Sequence, residues 1–328
     1  MSAVAKPRRD VYAEITQKLI SAIEQDPGKP VMPWRRAWGP LWMPVNALTK
    51  KPYNGINVVS LWVTAEAAQF SAPIWATYKQ WSELGAQVRK GEKSSLVVFY
   101  KEYETDPDPT REDDDGKRRV ARASFVFNAA QVEGYTVPGQ PELLGPVERI
   151  ERADRFLANT AARVEHGGDR AYYRPSTDTI HMPDEGLFID TATMTRTEGY
   201  YATRAHETVH WTGAKHRLNR EFGKRFADKA YAAEELVAEI GSAFLASELQ
   251  ITQDVRPDHA QYLAHWLELL KADPKAIFTA AARAAEAINH LKGLQPVEPE
   301  PDPPHSIARD RLATRAPATT STLKDGPT

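Results

Sequence analysis

The sequence contains no cysteine among its 328 residues. A chain without thiols can form neither a disulfide framework nor a thiolate metal site, so any metal must be held by histidine and carboxylate side chains. Nowhere do eighteen uncharged apolar residues follow one another, and the polar start of the chain is not typical of a secretion signal. These absences predict a soluble, cytoplasmic protein with no membrane partner.

Net charge is also small, at −2, but it is unevenly distributed. Residues 1–101 carry 14 Lys and Arg against 7 Asp and Glu, a net +7, which leaves −9 for the rest of the chain. Six of the eight tryptophans lie in the same basic segment, namely Trp34, Trp38, Trp42, Trp62, Trp75 and Trp81. A polyanionic partner would therefore prefer the first part of the chain.

Hydrophobic periodicity predicts a mixture of helices and strands in this first part. Asp10 is a good N-cap, and apolar residues after it recur at helical spacing as far as Gln25. Further helices are predicted over 57–70 and 77–84, and paired strands over 96–103 and 120–127. Residues 104–119, between these strands, contain an acidic run followed by a basic one. This composition predicts a solvated insertion.

Pro138 to Val147 has the proline and glycine content of a linker and predicts a domain boundary. We therefore divide the chain into a first domain at 1–137, a linker at 138–150, a second domain at 151–294 and a disordered tail at 295–328. The second domain is predicted to contain helices over 147–164, 195–213, 231–249, 257–270 and 274–292, with a hairpin over 172–181. The fold class expected is α+β with two domains, the second mostly helical with a small β-hairpin or sheet.

The second domain contains the pattern H-E-x-x-H, as His206-Glu207-Thr208-Val209-His210. Residues four apart share one face of a helix, so two imidazoles can hold one Zn²⁺ while Glu207 faces the reacting water as general base. The helical character of 195–205 and the helix stop at Gly213 support this interpretation. The pattern is typical of zinc metallopeptidases.

Two kinds of third metal ligand are compatible with the sequence. His206 to His216 matches the metzincin pattern, in which Gly213 turns the chain and His216 binds the metal, but no methionine follows the motif as a metzincin requires. Glu235 and Glu239 lie four apart on one face of a largely apolar helix, where each carboxylate needs a partner. We favour Glu235 as ligand, Glu239 as a carboxylate behind a ligand histidine, and His216 as a surface residue. The roles of the two glutamates could be exchanged.

Two further groups in this domain are candidates for substrate contacts. The hairpin that bears Asp178, Ile180, His181 and Met182 is expected, by analogy with zincins, to supply an edge strand for an extended peptide. Tyr200 and Tyr201 are aromatic residues that could stabilise an oxyanion, although a packing role is the commoner one.

In the basic segment, aromatic rings alternate with cations in a way that suits single-stranded DNA, whose bases stack on rings and whose phosphates attract Lys and Arg. The candidate residues are Trp34, Arg35, Arg36, Trp38, Lys50, Lys51, Tyr53, Trp75, Tyr78, Lys79, Trp81, Arg89, Lys90 and Lys93. Some of these tryptophans are expected to belong to the core instead.

Several dispersed blocks resemble one known family. Pro52 to Asn57, Trp75 to Trp81, Gly85 to Lys93 and Phe127 to Gly134 are similar to the N-terminal domain of ArdC-type antirestriction proteins. His206 to Leu218 and Tyr231 to Leu245 resemble the zincin-type metallopeptidase domain of the same family. The resemblance extends in order over about 10–294.

The resemblance implies a protein of plasmids or other conjugative elements that binds single-stranded DNA and helps incoming DNA to survive host restriction. It also implies that the later acidic helix completes the zinc site. A protein substrate or a restriction enzyme is a possible further partner. The rival hypothesis is a non-catalytic single-stranded-DNA-binding protein with a structural or vestigial metal site. A weaker third hypothesis is a peptidase of regulators whose first domain binds protein.

Overall fold

The computed structural model describes residues 9–24, 42–105, 117–139, 143–191, 194–222, 229–251 and 259–296, with only the backbone described at 101–104, 117–120 and 259–262. The candidates Trp34, Arg35, Arg36 and Trp38 lie outside the described residues, as do most of the acidic insertion and nearly all of the predicted tail. Residues up to Gln295 belong to one compact unit. The boundary at 138–150 between two domains stays a prediction.

The first part of the chain is built on a four-stranded sheet of order β1-β2-β5-β4. Its elements, in chain order, are α1 (Val11–Glu24), β1 (Val45–Asn46), α2 (Ile56–Ala67), β2 (Ile74–Thr77), α3 (Tyr78–Glu83), β3 (Gln87–Val88), β4 (Ser95–Glu104), β5 (Lys117–Asn128) and β6 (Val132–Glu133). β1 and β2 are parallel, β5 is antiparallel to β2 and to β4, and β3 pairs with β6 in a separate ribbon. β4 is therefore an edge of the sheet.

Local hydrogen bonds explain where these helices begin. The Asp10 carboxylate accepts from the backbone N–H groups of Tyr12 and Ala13 at 3.0 and 3.1 Å, as an N-cap does. Thr77 and Gln80 form a reciprocal capping box at the start of α3. The predicted helices and the strand pair β4–β5 are confirmed within a few residues. The strands are longer than expected, however, because Lys117 to Arg119 continue β5 opposite β4 rather than belonging to a solvated loop.

The second part of the chain is mostly helical, with one small sheet. Its elements are α4 (Pro146–Ala158), β7 (Arg163–His166), β8 (Tyr172–Arg174), β9 (Thr179–Met182), α5 (Arg196–Thr212), α6 (Ala230–Leu249), α7 (His259–Ala272) and α8 (Ala276–Gly293). The sheet order is β7-β9-β8, with β7 parallel and β8 antiparallel to β9. The expected helix to residue 164 is wrong at its end, because Arg163 to His166 form β7.

α5 and α6 pack closely, and a glycine allows it. A Cβ added at Gly241 on α6 would lie 2.9 Å from Cγ1 of Val209 on α5, so only a residue without a side chain fits there. The small residue at this position therefore allows α6 to approach the motif helix closely. α6 also packs along α8, which places it between two helices.

Helices from the two ends of the chain share one hydrophobic core. The ring of Trp62 on α2 meets that of Phe244 on α6 edge to face at 5.6 Å. The Thr16 hydroxyl donates to the carbonyl oxygen of Pro274 at 2.6 Å, which joins α1 to the start of α8. The predicted α+β fold class is confirmed, because a four-stranded sheet with helices in the first part is followed by a mostly helical part with a small sheet. Among the described helices, none combines the length and apolarity needed to cross a bilayer.

Candidate metal centre

α5 positions the motif residues. Thr195 caps the helix, accepting from Glu198 N–H at 3.3 Å, while the Glu198 carboxylate accepts from Thr195 N–H at 3.0 Å. His206 and His210 then face the same way one turn apart, and their Nε2 atoms lie 3.1 Å from each other. The helix thus presents two imidazole nitrogens to a single point.

α6 brings a carboxylate to the same point. Glu235 Oε2 lies 3.4 Å from His206 Nε2, and Glu235 Oε1 lies 3.6 Å from His210 Nε2. The three side chains form a group whose donor atoms all lie within 4.8 Å of one another. We call this group the donor triangle.

The donor triangle fits a small divalent cation. Tetrahedral nitrogen and oxygen ligands at about 2.0–2.2 Å from a zinc ion are about 3.3–3.6 Å from one another. The two distances from Glu235, 3.4 and 3.6 Å, match this spacing, and the 3.1 Å between the two Nε2 atoms is slightly shorter. The surroundings are also acidic. Burial alone would lower the pKa of His210, but contacts with Glu234, Glu235 and Glu207 outweigh it and raise that pKa to about 10. Carboxylates that stabilise an imidazolium this strongly also attract a metal cation.

The second candidate glutamate lies on the other side of His206. Glu239 Oε2 is 3.9 Å from His206 Nδ1, the ring nitrogen that points away from the donor triangle. Glu239 is therefore placed behind the imidazole, whereas Glu235 lies in front of it. Burial raises the pKa of Glu235, but the contacts with His206 and His210 lower it by more than burial raises it. The carboxylate therefore stays ionised.

His216 does not approach the donor triangle. Its side chain is 63% exposed, and its Nε2 lies 3.2 Å from Asp178 Oδ2. Gly213, which in the metzincin pattern turns the chain toward the third ligand, has an ordinary φ of −74° and ends α5. It is small for another reason, because a Cβ there would lie 2.8 Å from Nη2 of Arg220. The glycine of the metzincin-like pattern is therefore explained by the space that the Arg220 guanidinium occupies beside it.

Arg220 leads to a carboxylate that sequence reasoning missed. Its guanidinium donates to Glu234 Oε2 at 2.8 Å, to Thr212 Oγ1 at 2.9 Å and to the Val209 carbonyl at 2.8 Å. Glu234 Oε1 in turn lies 3.0 Å from His210 Nδ1. A ligand histidine commonly donates its second ring N–H to a carboxylate, so the acidic residue next to Glu235 was the available signal.

A cleft of about 690 Å³ opens beside the donor triangle. Glu207 lines it, as do Tyr172 and Tyr173 of β8, together with Tyr231 at the start of α6 and Trp266 of α7. β8 is the outer strand of its sheet, whereas β9, which bears Ile180, His181 and Met182, is the central one. The edge strand predicted for this hairpin is therefore β8, and the strand that bears Ile180, His181 and Met182 is not the edge.

An arginine fixes this hairpin to the end of α5. Arg217 Nη1 donates to Asp178 Oδ2 at 2.9 Å and Arg217 Nη2 to the Tyr173 hydroxyl at 3.1 Å, while the guanidinium stacks 3.7 Å from the centre of the Trp211 ring. The hydrogen bond from Arg217 is the main reason why the pKa of Asp178 lies well below its usual range. Burial, followed by the Asp178 contact, raises the pKa of Tyr173 to about 12.

Tyr200 and Tyr201 serve packing rather than the cleft. Tyr200 is buried, its hydroxyl lies 2.8 Å from His166 Nε2, and its ring packs edge to face against Tyr201 at 5.2 Å. Neither residue lines the cleft beside the donor triangle. An oxyanion role for this pair is therefore not supported.

The DNA-binding candidates fall into two groups by burial. Trp75 and Trp81 are 1% and 0% exposed and Tyr53 is 7% exposed, so these rings belong to the core and have no free face for a base. Burial thus corrects their predicted stacking role. The exposed candidates are Lys50, Lys51, Tyr78, Lys79, Arg89, Lys90 and Lys93. Of these, Arg89 is held by Glu92 Oε1 at 2.7 Å and the Ala130 carbonyl at 2.6 Å.

Comparison with known families agrees with both parts of the chain. The family model described as zincin-like metallopeptidase matches residues 151–283, and that of the N-terminal domain of anti-restriction factor ArdC matches residues 9–132. The chain is 44% identical over 291 residues to an uncharacterized protein, y4eC, of Sinorhizobium fredii, with 87% of this chain and 92% of that protein covered. It is 36% identical over 308 residues to an Escherichia coli DNA primase, TraC, with 86% of this chain covered but only 27% of the primase.

Two crystal structures of the antirestriction ArdC protein from plasmid R388 share the fold. The metal-free structure matches with a TM-score of 0.70 at 38% identity, and the Mn(II)-bound structure with a TM-score of 0.68 at 37% identity. Each match covers 87% of this chain and 98% of the other. The fold and the site together define an ArdC-type N-terminal domain followed by a zincin-like metallopeptidase domain. The chain belongs to the ArdC family of antirestriction proteins.

Proposed function

We propose that this protein binds single-stranded DNA through its first part and protects incoming DNA of a mobile element with a zinc-dependent peptidase-type site. The observation that carries the proposal is the donor triangle of His206, His210 and Glu235, with Glu207 lining the adjoining cleft. Glu239, behind His206, is proposed to orient that ligand rather than to bind the metal. The metal-bound ArdC relative supports a divalent ion.

The chemistry follows from the arrangement of the side chains. A zinc ion held by the donor triangle supplies Lewis-acid activation of a peptide carbonyl and of a water molecule. Glu207, on the same helical turn, takes the proton from the attacking water and delivers it to the leaving amine. An extended polypeptide adds to the open edge of β8, which lines the cleft. The substrate class proposed is therefore a protein segment in extended conformation, such as part of a restriction enzyme.

Metal analysis of purified variants tests the ligand set. We expect the wild type to retain zinc after dialysis against a weak chelator, and His206→Ala and Glu235→Ala to lose it, as measured by mass spectrometry. His216→Ala is the matched control, since it also removes a histidine that contacts a carboxylate, and it should retain the metal. Retention in Glu235→Ala together with loss in His216→Ala would show that the third ligand has been assigned wrongly.

Glu207→Gln separates catalysis from DNA binding. The change keeps the size of the side chain but removes the base, so we expect metal content to persist while protection of unmodified DNA in restricting cells falls to background. Full protection by this variant would instead favour the rival function, a non-catalytic protein that coats single-stranded DNA. In that case, changing Lys50 and Lys51 should abolish protection.

A further inference from the structure

A cavity of about 1000 Å³ lies away from the donor triangle. Its walls come from the loop after β1, the start of α2, the middle of β4 and the outer face of α8. This volume is at the upper end of the range for small-ligand pockets, about 300–1,000 Å³. We call it the α2–α8 groove.

Aromatic rings lie exposed along this groove. Tyr100, on β4, is 50% exposed although most large apolar side chains of the sheet are buried, whereas its neighbour Phe99 points its ring to the opposite face of the sheet. Tyr12 and Phe278 also line it, with their rings edge to face at 4.6 Å. Exposed rings beside an open groove provide faces on which unpaired bases can stack.

The polar groups of the groove suit the edges of bases. The amides of Asn54 and Asn289 line it at exposed positions. The Asn57 amide donates to the Val98 carbonyl at 2.8 Å and accepts from Val98 N–H at 2.7 Å, so the outer backbone groups of β4 point into this side of the fold. Backbone N–H and C=O groups of every second residue of a strand point to the same side, so those of Tyr100 point to the same side as those of Val98. The groove therefore offers both donors and acceptors beside its rings.

The charge at the groove favours an anion. Lys51 lines it and Lys50 precedes Lys51, and among the described residues neither forms an ion pair. Lys275 lies over the Tyr12 ring at 5.2 Å. Glu286 is the acidic residue in the lining, and its carboxylate accepts from Arg283 at 2.7 Å, which offsets its charge.

From these observations we propose that the α2–α8 groove is the binding site for single-stranded DNA, with a base stacked on Tyr100 and phosphates beside Lys50 and Lys51. This inference rests on the proposed function and gives it a location. A duplex keeps its base faces covered, so it could not use these rings. The site also includes residues of α8, which lies outside the part of the chain where the sequence predicted DNA contacts.

Fluorescence anisotropy with a labelled oligothymidylate, at low salt and with the full-length protein, tests the location. Stacking of one base on an aromatic ring predicts that Tyr100→Ala weakens binding by about five- to 150-fold, while Tyr100→Phe restores it. Lys51→Ala should reduce the slope of log affinity against log salt by about 0.7 for the lost phosphate contact. Thermal unfolding of each variant confirms that it is folded.

Phe125→Ala is the matched control, because Phe125 is an exposed aromatic residue on the neighbouring strand β5 that does not line the groove. It should bind the oligonucleotide as the wild type does. Wild-type binding that survives Tyr100→Ala, or that is lost in Phe125→Ala, overturns the groove as the site while single-stranded DNA binding stands. No binding by the wild type at low salt overturns DNA binding itself.

Discussion

At the scale of single residues, His210 is held from both sides. Its Nε2 faces Glu235 at 3.6 Å, and its Nδ1 faces Glu234 at 3.0 Å, which Arg220 fixes from behind. The carboxylate that receives the second ring N–H of a ligand histidine determines the tautomer and the orientation of the ring. Glu234 is therefore expected to tune metal affinity without touching the metal.

Glu234→Ala tests this role. We expect metal affinity to fall by about 10- to 100-fold, measured by competition with a chromogenic chelator, because His210 loses its orienting partner. Glu248→Ala is the control on the same helix, where the carboxylate pairs with Lys292 at the surface at 2.6 Å, and it should leave the affinity unchanged. Equal affinities in wild type and Glu234→Ala would show that the contact is structural only.

The candidate site shows what sequence can predict at this scale. The positions of His206 and His210 follow from helical periodicity, because residues four apart must share a face. The burial of Trp75 and Trp81 does not follow, since composition cannot distinguish a ring that packs under a sheet from one that stacks on a base. The link from Arg220 to Glu234 depends on the loop after α5, which has no period.

At the scale of elements, α5 and α6 are held at one distance by Gly241 and Val209. Gly241→Ala places a Cβ against Val209, and overpacking of this kind costs about 1–3 kcal/mol. We expect a lower free energy of unfolding in denaturant titration, with part of the loss recovered in the double variant Gly241→Ala, Val209→Ala. Coupling of this kind is typical of residues in contact.

Gly293→Ala is the control for that experiment. It also lies in a helix, at the end of α8, but an added Cβ there would meet nothing within 4 Å. It should be neutral or stabilising by up to about 1 kcal/mol, because alanine restricts the unfolded chain. A comparable loss in both glycine variants would mean that helix termini, and not the α5–α6 contact, explain the effect.

The hairpin β8–β9 should respond to acid through Asp178. The pKa of Asp178 in the folded protein is below the usual value near 3.9. The stability that its carboxylate contributes is therefore complete above the usual pKa, and it is lost as the pH falls through the lower pKa of the folded protein. Asp178→Asn, which also tolerates the positive φ of 51° at this position, should therefore lower the melting temperature at neutral pH. The difference from wild type should shrink toward strongly acidic pH. A difference independent of pH would exclude the Asp178–Arg217 ion pair as its cause.

The elements themselves were predictable in proportion to their length. Helices such as α1 and α6 carry enough turns for their periodicity to be clear, and Asp10 marks a start. Four strands have only two to four residues each, namely β1, β2, β3 and β6. Because they pair with segments distant in the sequence, no local pattern predicts them. The early end of α4 was missed because Arg163 to His166 continue its polar pattern.

At the scale of the whole molecule, one core connects the DNA-binding candidates to the metal centre. α2 packs on α8, and α8 packs on α6, which carries Glu235. Trp62 and Phe244 meet at the centre of this arrangement. The described part of the chain is therefore expected to unfold as one cooperative unit.

Trp62→Ala tests that expectation. Loss of a buried tryptophan costs about 3–5 kcal/mol, and hydrogen exchange should accelerate together in peptides from α2 and from α6. Val147→Ala, at an exposed position on α4, should change neither. Faster exchange restricted to α2 would show that the two parts of the chain unfold independently.

The edge of the larger sheet has a consequence for how the protein behaves at high concentration. An unprotected edge strand is a template for pairing with another chain, and this is a common route to aggregation. At Val98 the template is already occupied, because Asn57 presents its amide in place of a neighbouring strand. The side chain of Asn57 thus keeps part of β4 unavailable to a second copy, so we expect the solubility of the protein to depend on this residue. Asparagine suits this position because its amide both donates and accepts, which leucine or aspartate could not do.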